Sequence, residues 1–264
     1  MVSTGSTGVN VLVCVKRVPD FSGEVLLSED AQSADARFVG FTMSNHDACA
    51  VELAVQVATA TDGQATVLSI GSADAVEQLR SALAVGATAA TLVEAEPSRF
   101  GPADVAREIA AVVRAHEAEG RTHDLVLLGN DAADSGDFQV GIRLAYELRR
   151  PVVNGAKVVS VADGEVIARV EGPDGVETYR VPLPAVVTIR EGGVEPRYPS
   201  VPGRMKAKKV AIEERTPSAE PSGGKRVKLT LPPPVPSNVQ ILGEGAAAAP
   251  AVVDIFEELG VLAR

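Results

Sequence analysis

Cysteine and histidine are scarce in this chain of 264 residues, which contains two of the first and three of the second. Cys14 falls in an expected buried strand and Cys49 in an expected helix, so we predict two free, buried thiols and no disulfide. His46, His116 and His123 have no cysteine or histidine partner at metal-ligand spacing. The sequence therefore predicts no metal site.

Long apolar runs and an excess of positive charge are also missing. No run reaches the roughly 18–20 apolar residues that cross a bilayer, so we expect no membrane insertion. The first ten residues, MVSTGSTGVN, do not join a basic segment to an apolar one, so we expect no signal peptide and a cytoplasmic protein. Acidic residues outnumber basic ones by 35 to 25. We expect no nucleic-acid partner, because that affinity comes mainly from neutralising phosphates.

Several sequence motifs of catalysis and nucleotide binding are absent. The chain has no Gly-x-Ser-x-Gly elbow, and no P-loop pattern. No Gly-x-Gly-x-x-Gly follows the first expected strand, which argues against a Rossmann dinucleotide site there. The sequence singles out no catalytic residue.

Short apolar runs alternate with helical patterns between residues 9 and 150. The runs VNVLVCVKRV, ATVLSIG, AATLVEA and HDLVLLG are typical of strands that are covered on both faces. Each is followed by a segment in which apolar residues recur at helical spacing, the last being FQVGIRLAYELRR. This alternation predicts a doubly wound, mainly parallel α/β sheet with a longer excursion at residues 19–42.

The pattern changes after Pro151. Asp163-Gly164 and Asp174-Gly175 separate alternating segments, which predicts an antiparallel hairpin segment over residues 151–190 that packs on or extends the main sheet. Residues 213–264 are rich in proline and glycine and end in an amphipathic helix, which predicts an extended C-terminal arm. That helix cannot bury its apolar face alone. Docking on its own domain and docking on a partner subunit are equally open from these residues.

Polar residues follow several of the expected strands, most clearly in GNDAADSGDFQVG at residues 129–141. Ligands of open α/β sheets bind beyond the carboxyl ends of the strands, and free amides at a helix start favour a phosphate. Asp134 and Asp137 would repel one. An ordinary capped loop and a nucleotide site therefore both remain open for this stretch.

The stretch EPRYPSVPGRMKAKKV at residues 195–210 resembles the signature region of the electron transfer flavoprotein β subunit. VLVCVKRVPD, MSNHDACAVELAV, ALAVGA and LPAVVT fit the same family in the same order. The resemblance implies an α/β domain of the adenine-nucleotide hydrolase type over residues 9–212. It also implies a heterodimer in which the α subunit carries the redox-active FAD and this subunit holds AMP. The family alternative is a bifurcating subunit whose own FAD oxidises NADH.

Carried over residue by residue, the resemblance implies a nucleotide pocket made from four parts of the chain. Phe138 and Val140 cannot donate a side-chain hydrogen bond, so phosphate binding is assigned to backbone amides, Ser135 and Gln139. The expected pocket residues are Cys14, Ser44, Asn45, His46, Asp47, Ile70, Gly129, Asn130, Asp131, Ala132, Ala133, Asp134, Ser135, Gly136, Asp137, Phe138, Gln139 and Val140.

The resemblance further implies an electron carrier, not an enzyme. It would accept electrons from flavin dehydrogenases such as acyl-CoA dehydrogenases and pass them to a quinone oxidoreductase or another acceptor. The segment 188–205 would dock the dehydrogenases, with Val201 as the apolar anchor, and residues 213–264 would pack on the α subunit. A simple exposed loop is the other reading of that segment, and a stand-alone nucleotide-binding regulator is the alternative of another class. The expected docking residues are Glu195, Pro196, Arg197, Tyr198, Val201 and Met205.

Overall fold

The computed structural model describes residues 8–20, 22, 25–222, 227–233, 236–237 and 239–261. They divide into two units, one ending at Leu229 and the other beginning at Thr230. The strands are β1 (Val11–Val15), β2 (Arg17–Pro19), β3 (Phe41–Met43), β4 (Ala65–Gly71), β5 (Ala89–Glu94), β6 (Leu125–Gly129), β7 (Val152–Ala162), β8 (Glu165–Gly172), β9 (Gly175–Pro182), β10 (Ala185–Ile189) and β11 (Ile212–Arg215). The helices are α1 (Asn45–Ala60), α2 (Val76–Val85), α3 (Pro102–Ala118), α4 (Val140–Leu148), α5 (Val201–Ala207) and α6 (Ala249–Glu258).

The main sheet has nine strands in the order β11-β5-β4-β1-β6-β10-β7-β8-β9. All pairings from β11 to β7 are parallel, and only β8 and β9 run antiparallel to their neighbours. Strands β2 and β3 form a separate small antiparallel pair. The predicted doubly wound, mainly parallel sheet is confirmed, and the hairpin segment extends that sheet.

The central strand β1 shows why the sheet is covered on both faces. All five of its residues, VLVCV, are buried. Val11, Val13 and Val15 share an apolar cluster with residues of α1 and α2. Leu12 and Cys14 share the other cluster with residues of α3 and α4. Successive side chains of a strand point to opposite faces, so this apolar run places helices on each side of the sheet.

The hairpin between β7 and β8 follows from its turn residues. Asp163 and Gly164 both have positive φ angles, 54° and 76°. A two-residue turn with two positive φ angles has the twist that joins antiparallel strands, and Asp-Gly tolerates it. After β9, the chain returns as β10 and inserts between β6 and β7.

Helix α4 is shorter than the predicted segment FQVGIRLAYELRR. It begins at Val140 and ends at Leu148, with Gln139 before it and Arg149 after it. Arg149 has a φ of 53°, which is a left-handed conformation that terminates a helix. Phe138 belongs to the loop before the helix.

The chain beyond residue 212 begins as part of the sheet. Strand β11 pairs in parallel with β5. The amide of Ser218 then donates to Glu108 of α3 at 2.6 Å, and the amide of Ser222 donates to Asp104 at 2.9 Å. In the second unit, α6 contains no buried residue. The start of the predicted arm therefore lies on its own domain, and packing of the remainder on a partner stays a prediction.

The cysteines and the lengths of the helices can be compared with what the composition predicts. Cys14 and Cys49 are both free and buried. Within the ranges that the structure describes, no helix is long and apolar enough to cross a membrane.

A buried histidine pair lies between the end of α3 and the start of β6. Nδ1 of His116 and Nε2 of His123 are 2.9 Å apart, and Nε2 of His116 is 3.3 Å from a carboxylate oxygen of Glu213. Burial, with smaller effects of the charges of His116, Arg150 and Arg121, lowers the pKa of His123 to about 4. Burial also lowers the pKa of His116, so both rings are neutral at physiological pH.

This histidine pair should make the chain less stable in mild acid. An unfolded histidine titrates near 6.5 and the native His123 near 4, so only the unfolded chain takes up this proton between those pH values. The contribution is complete above pH 6.5 and falls as the pH decreases, by about 3 kcal/mol below pH 4. Urea unfolding of the parent and of His123→Gln at pH 7.5, 6 and 5 measures it. The difference between the two reports the loss of His123 together with its effect on the neighbouring His116. A native His123 ring that titrates near 6.5 by NMR would contradict the prediction.

Candidate functional site

A cleft lies beyond the carboxyl ends of β1, β4 and β6, where ligands of parallel sheets bind. Its apolar side is formed by β4, by the connection between β5 and α3, and by α3 itself; its polar side is formed by the loop after β6. The open space between them is about 120 Å³. The lining residues are Cys14, Val15, Lys16, Asp47, Leu68, Ile70, Ala95, Pro97, Phe100, Pro102, Val105, Ile109, Leu128, Gly129, Asn130, Asp131, Ala132, Ser135, Asp137 and Val140.

Asp47 joins the strand ends at the base of this cleft. One carboxylate oxygen accepts from the amide of Lys16 at 3.0 Å, and the other accepts from the amide of Gly129 at 3.0 Å. The amide of Asp47 donates to the Ser44 hydroxyl, which caps α1. Burial raises the pKa of Asp47 to about 6, against the lowering effect of these hydrogen bonds. Burial, with a smaller effect of Asp47, also raises the pKa of the Cys14 thiol, which is therefore neutral.

Close approach explains the glycine at the end of β6. A Cβ atom built on Gly129 would lie 2.4 Å from Oδ1 of Asp47. The clamp by Asp47 therefore requires glycine at this position. Gly141 is similar, since a Cβ there would lie 2.2 Å from a methyl carbon of Thr188.

The loop between β6 and α4 is held near its beginning and at its middle by side chains. Nζ of Lys16 is 2.7 Å from Oδ1 of Asp134. Nε2 of His46 is 2.9 Å from Oδ1 of Asp131, and Nδ1 of the same ring accepts from the amide of Glu191 at 3.0 Å. Because Nδ1 accepts from this amide, Nε2 is the ring nitrogen that can donate a proton.

The middle of this loop is a tight turn. The amides of Ser135 and Gly136 both point to the carbonyl oxygen of Ala132, at 3.1 and 2.7 Å. Gly136 has a φ of 65°, and a Cβ there would meet no atom of the chain within 4 Å. Glycine is therefore required here for the backbone conformation and not for space within the chain.

The structure divides the eighteen predicted pocket residues into three groups. The first group lines the cleft and comprises Cys14, Asp47, Ile70, Gly129, Asn130, Asp131, Ala132, Ser135, Asp137 and Val140. Asn45, His46 and Phe138 line a neighbouring cavity instead. Ser44, Ala133, Asp134, Gly136 and Gln139 line neither. The side-chain oxygen of Gln139 accepts from Arg143 at 2.8 Å, so it is engaged on α4.

Several residues that line the cleft are absent from the predicted pocket, and they include Lys16 and an apolar wall. Lys16 lines the cleft, and its position directly after β1 was the available signal. The apolar wall from Ala95 to Ile109 comes from the connection between β5 and α3 and from the first turns of that helix. The sequence gives little indication of this wall, because PSRFGP is typical of an ordinary turn. Only the topology of the sheet places the connection at the same edge as the other strand ends.

The neighbouring cavity is wide and polar, with a volume of about 1230 Å³. It lies beyond the ends of β6 and β10, beside residues Asn154, Gly155 and Lys157 of β7, and shares Asn130 and Asp131 with the cleft. Its walls also carry the two cations Lys157 and Arg190, together with several carboxylates. The described residues contain no group of three or more histidine, cysteine, aspartate or glutamate side chains arranged to hold a metal ion.

The predicted docking segment has a fixed base and an exposed apolar surface. The Arg197 guanidinium binds both carboxylate oxygens of Glu52 on α1, each at 2.7 Å, and this lowers the pKa of Glu52. Helix α5 begins at the Ser200 cap, and the Arg80 guanidinium of α2 donates to carbonyl oxygens at its other end. Glu195 and Pro196 line the wide cavity. The side chains of Tyr198, Val201 and Met205 are 95%, 77% and 57% exposed.

Comparisons with known proteins identify the family. A family model described as the electron transfer flavoprotein domain matches residues 36–220. The electron transfer flavoprotein subunit beta of Syntrophomonas wolfei is 34% identical over 243 residues, which cover 91% of this chain and 93% of that protein. The chain belongs to the electron transfer flavoprotein β-subunit family. The resemblance carried by EPRYPSVPGRMKAKKV is therefore confirmed.

Other members of this β-subunit family are similar over shorter stretches. The human electron transfer flavoprotein subunit beta is 37% identical over 209 residues, covering 78% of this chain and 80% of that protein. Subunit CarD of the caffeyl-CoA reductase–Etf complex of Acetobacterium woodii is 33% identical over 200 residues, or 75% of each chain. Relatives of this kind are therefore named both as general electron transfer flavoproteins and as part of a reductase complex.

Removal of the Asp47 carboxylate should destabilise this β subunit. Asp47→Ala leaves the amides of Lys16 and Gly129 buried without their acceptor, so the free energy of unfolding should fall by about 2–5 kcal/mol. Asp47→Asn keeps one acceptor oxygen and should cost less. Urea unfolding at pH 7.5 measures both variants. Equal losses for alanine and asparagine would show that the carboxylate does not clamp the two strands.

Proposed function

We propose that this chain is the β subunit of a heterodimeric electron carrier that is not itself an enzyme. It pairs with an α subunit, receives electrons from flavin dehydrogenases such as acyl-CoA dehydrogenases, and delivers them to a quinone oxidoreductase or another acceptor, in the cytoplasm. Membership of the β-subunit family supports this role. The exposed apolar surface of Tyr198, Val201 and Met205 on a fixed base supports docking of protein partners through segment 188–205.

We further propose that the cleft holds AMP, while the redox-active FAD is held mainly by the α subunit. The cleft offers an apolar wall of Ile70, Phe100 and Ile109 for an adenine ring and a polar rim for a ribose and phosphate. The chemical character of these residues suits an adenine nucleotide. When bound, the FAD of the α subunit supplies the electron transfer. This chain binds the nucleotide in the cleft and docks the protein partners.

The observation that carries this proposal is the coincidence of the cleft with the residues expected from family resemblance. Cys14, Asp47 and Gly129 come from three distant parts of the sequence and line one space. We also propose that residues 9–212 form the nucleotide-binding domain, and that the arm at 213–264 packs on the α subunit beyond the part that lies on α3.

A second candidate is a bifurcating β subunit that holds its own FAD and oxidises NADH. The wide cavity of about 1230 Å³ favours this second candidate, because the cavity shares Asn130 and Asp131 with the cleft. A dinucleotide could place its adenosine half in the cleft and extend into that cavity. The two candidates differ in the cofactor that this chain holds.

The cofactors released by denaturing the purified heterodimer separate the two candidates. We expect one FAD and one AMP per heterodimer, measured by chromatography and absorbance, and a colourless preparation of the isolated chain. Two FAD per heterodimer, or a yellow isolated chain, would support the bifurcating subunit instead. A folded heterodimer that releases FAD but no second nucleotide would contradict a nucleotide role for the cleft.

A charge at Val201 should disrupt docking without affecting the fold. Val201→Asp places a carboxylate in the centre of the exposed apolar surface, so the rate constant for reduction by an acyl-CoA dehydrogenase should fall by roughly tenfold or more. Val176→Asp is the matched control, because Val176 is 66% exposed on the edge strand β9. Both variants should keep the parent melting temperature. Equal rates for the two variants would place the docking surface elsewhere.

A further inference from the structure

An ion pair joins the polar side of the cleft to the loop after β6. Lys16 lines the cleft, and its ammonium group lies 2.7 Å from the Asp134 carboxylate in the loop after β6. The backbone of Lys16 is fixed, since its amide donates to the buried Asp47. The two paired side chains remain 36% and 16% exposed, so solvent and solutes can reach the contact.

The charges around the cleft make Lys16 the group that a phosphate needs. Asp47, Asp131 and Asp137 are acidic lining residues, and Lys16 is the one basic side chain among the lining residues that the structure describes. A phosphate dianion is stabilised by charge-assisted hydrogen bonds and is repelled by carboxylates. The Lys16 ammonium group can donate three hydrogen bonds, but the Asp134 carboxylate neutralises its charge and repels a second anion, so a phosphate and Asp134 compete for Lys16.

The small size of the cleft also indicates that the contact between Lys16 and Asp134 must break before a ligand can enter. Its open space of about 120 Å³ is below the roughly 300–1,000 Å³ of typical small-molecule sites. The loop after β6 forms the polar wall, and its turn depends on Gly136 with its positive φ. Breaking the contact between Lys16 and Asp134 frees this part of the loop, while the contact of Asp131 with His46 holds its beginning.

We propose that the Lys16–Asp134 pair is an exchangeable latch on the cleft. The phosphate of a nucleoside monophosphate replaces the Asp134 carboxylate on Lys16, and the released loop moves outward to admit the ligand. This inference rests on the proposed nucleotide role of the cleft. It assigns phosphate binding to Lys16 and makes Asp134 the carboxylate that competes with the phosphate. A nucleoside has no phosphate to displace Asp134, so the latch favours a nucleotide over its nucleoside.

The latch predicts opposite effects of removing its two partners. In the full-length chain freed of bound nucleotide by dialysis, Lys16→Met should weaken AMP binding by roughly ten- to a hundredfold and leave adenosine binding within about threefold. Asp134→Asn removes the competing carboxylate and should tighten AMP binding by roughly two- to tenfold. Titration calorimetry with AMP and with adenosine measures both, and melting temperatures check the folds.

Lys157→Met is the matched control. Lys157 pairs with Glu171 at the same distance of 2.7 Å but lines the wide cavity, so its loss should change neither affinity. Binding of AMP with parent affinity by Lys16→Met would overturn the latch and leave the nucleotide site standing. So would weaker AMP binding by Asp134→Asn, which tests the exchange even if Lys16→Met does not fold. A folded parent chain that binds neither AMP nor adenosine would overturn both the latch and the proposed nucleotide role.

Discussion

The geometry of the cleft depends on one buried carboxylate. Asp47 lies in the first turn of α1, and its two oxygens accept the amides of Lys16 and Gly129, which follow β1 and end β6. A parallel sheet leaves such amides unpaired where its strands end, and burial makes an unpaired amide costly. One side chain thus fixes two strand ends and a helix start. Those three points set the floor of the cleft and the start of the loop that closes it.

Much of the fold can be read from local patterns. The run VLVCV is apolar throughout because both faces of β1 are covered, and Asp163-Gly164 specifies its turn because both residues take positive φ. The position of β10 between β6 and β7 is different. It depends on which strand edge is free when the chain returns, and no local pattern carries that information. The start of α4 was misplaced by two residues, because an apolar Phe138 fits either a helix or the loop before it.

The candidate site shows the same division. Asp47, Gly129 and Ser135 could be anticipated, because the family resemblance carries over to the polar segments that contain them. The pair of Lys16 with Asp134 could not, since it joins positions 118 residues apart in sequence. The apolar wall around Phe100 was also beyond reach, because its role arises only when α3 covers the sheet. The sequence predicted which single residues contribute to the site. It did not predict the contacts that form only when the whole sheet is assembled.

The inserted strand β10 has a consequence for the growing chain during synthesis. Ala185 pairs with Leu125, which the ribosome adds 60 residues earlier. Until β10 arrives, β6 has β1 on one side and an open row of backbone donors and acceptors on the other, formed by the apolar residues LVLLG. An exposed apolar strand edge is a template for pairing with other chains. Nascent chains that stop before residue 189 therefore present an aggregation-prone edge at the centre of the sheet, which the finished protein conceals.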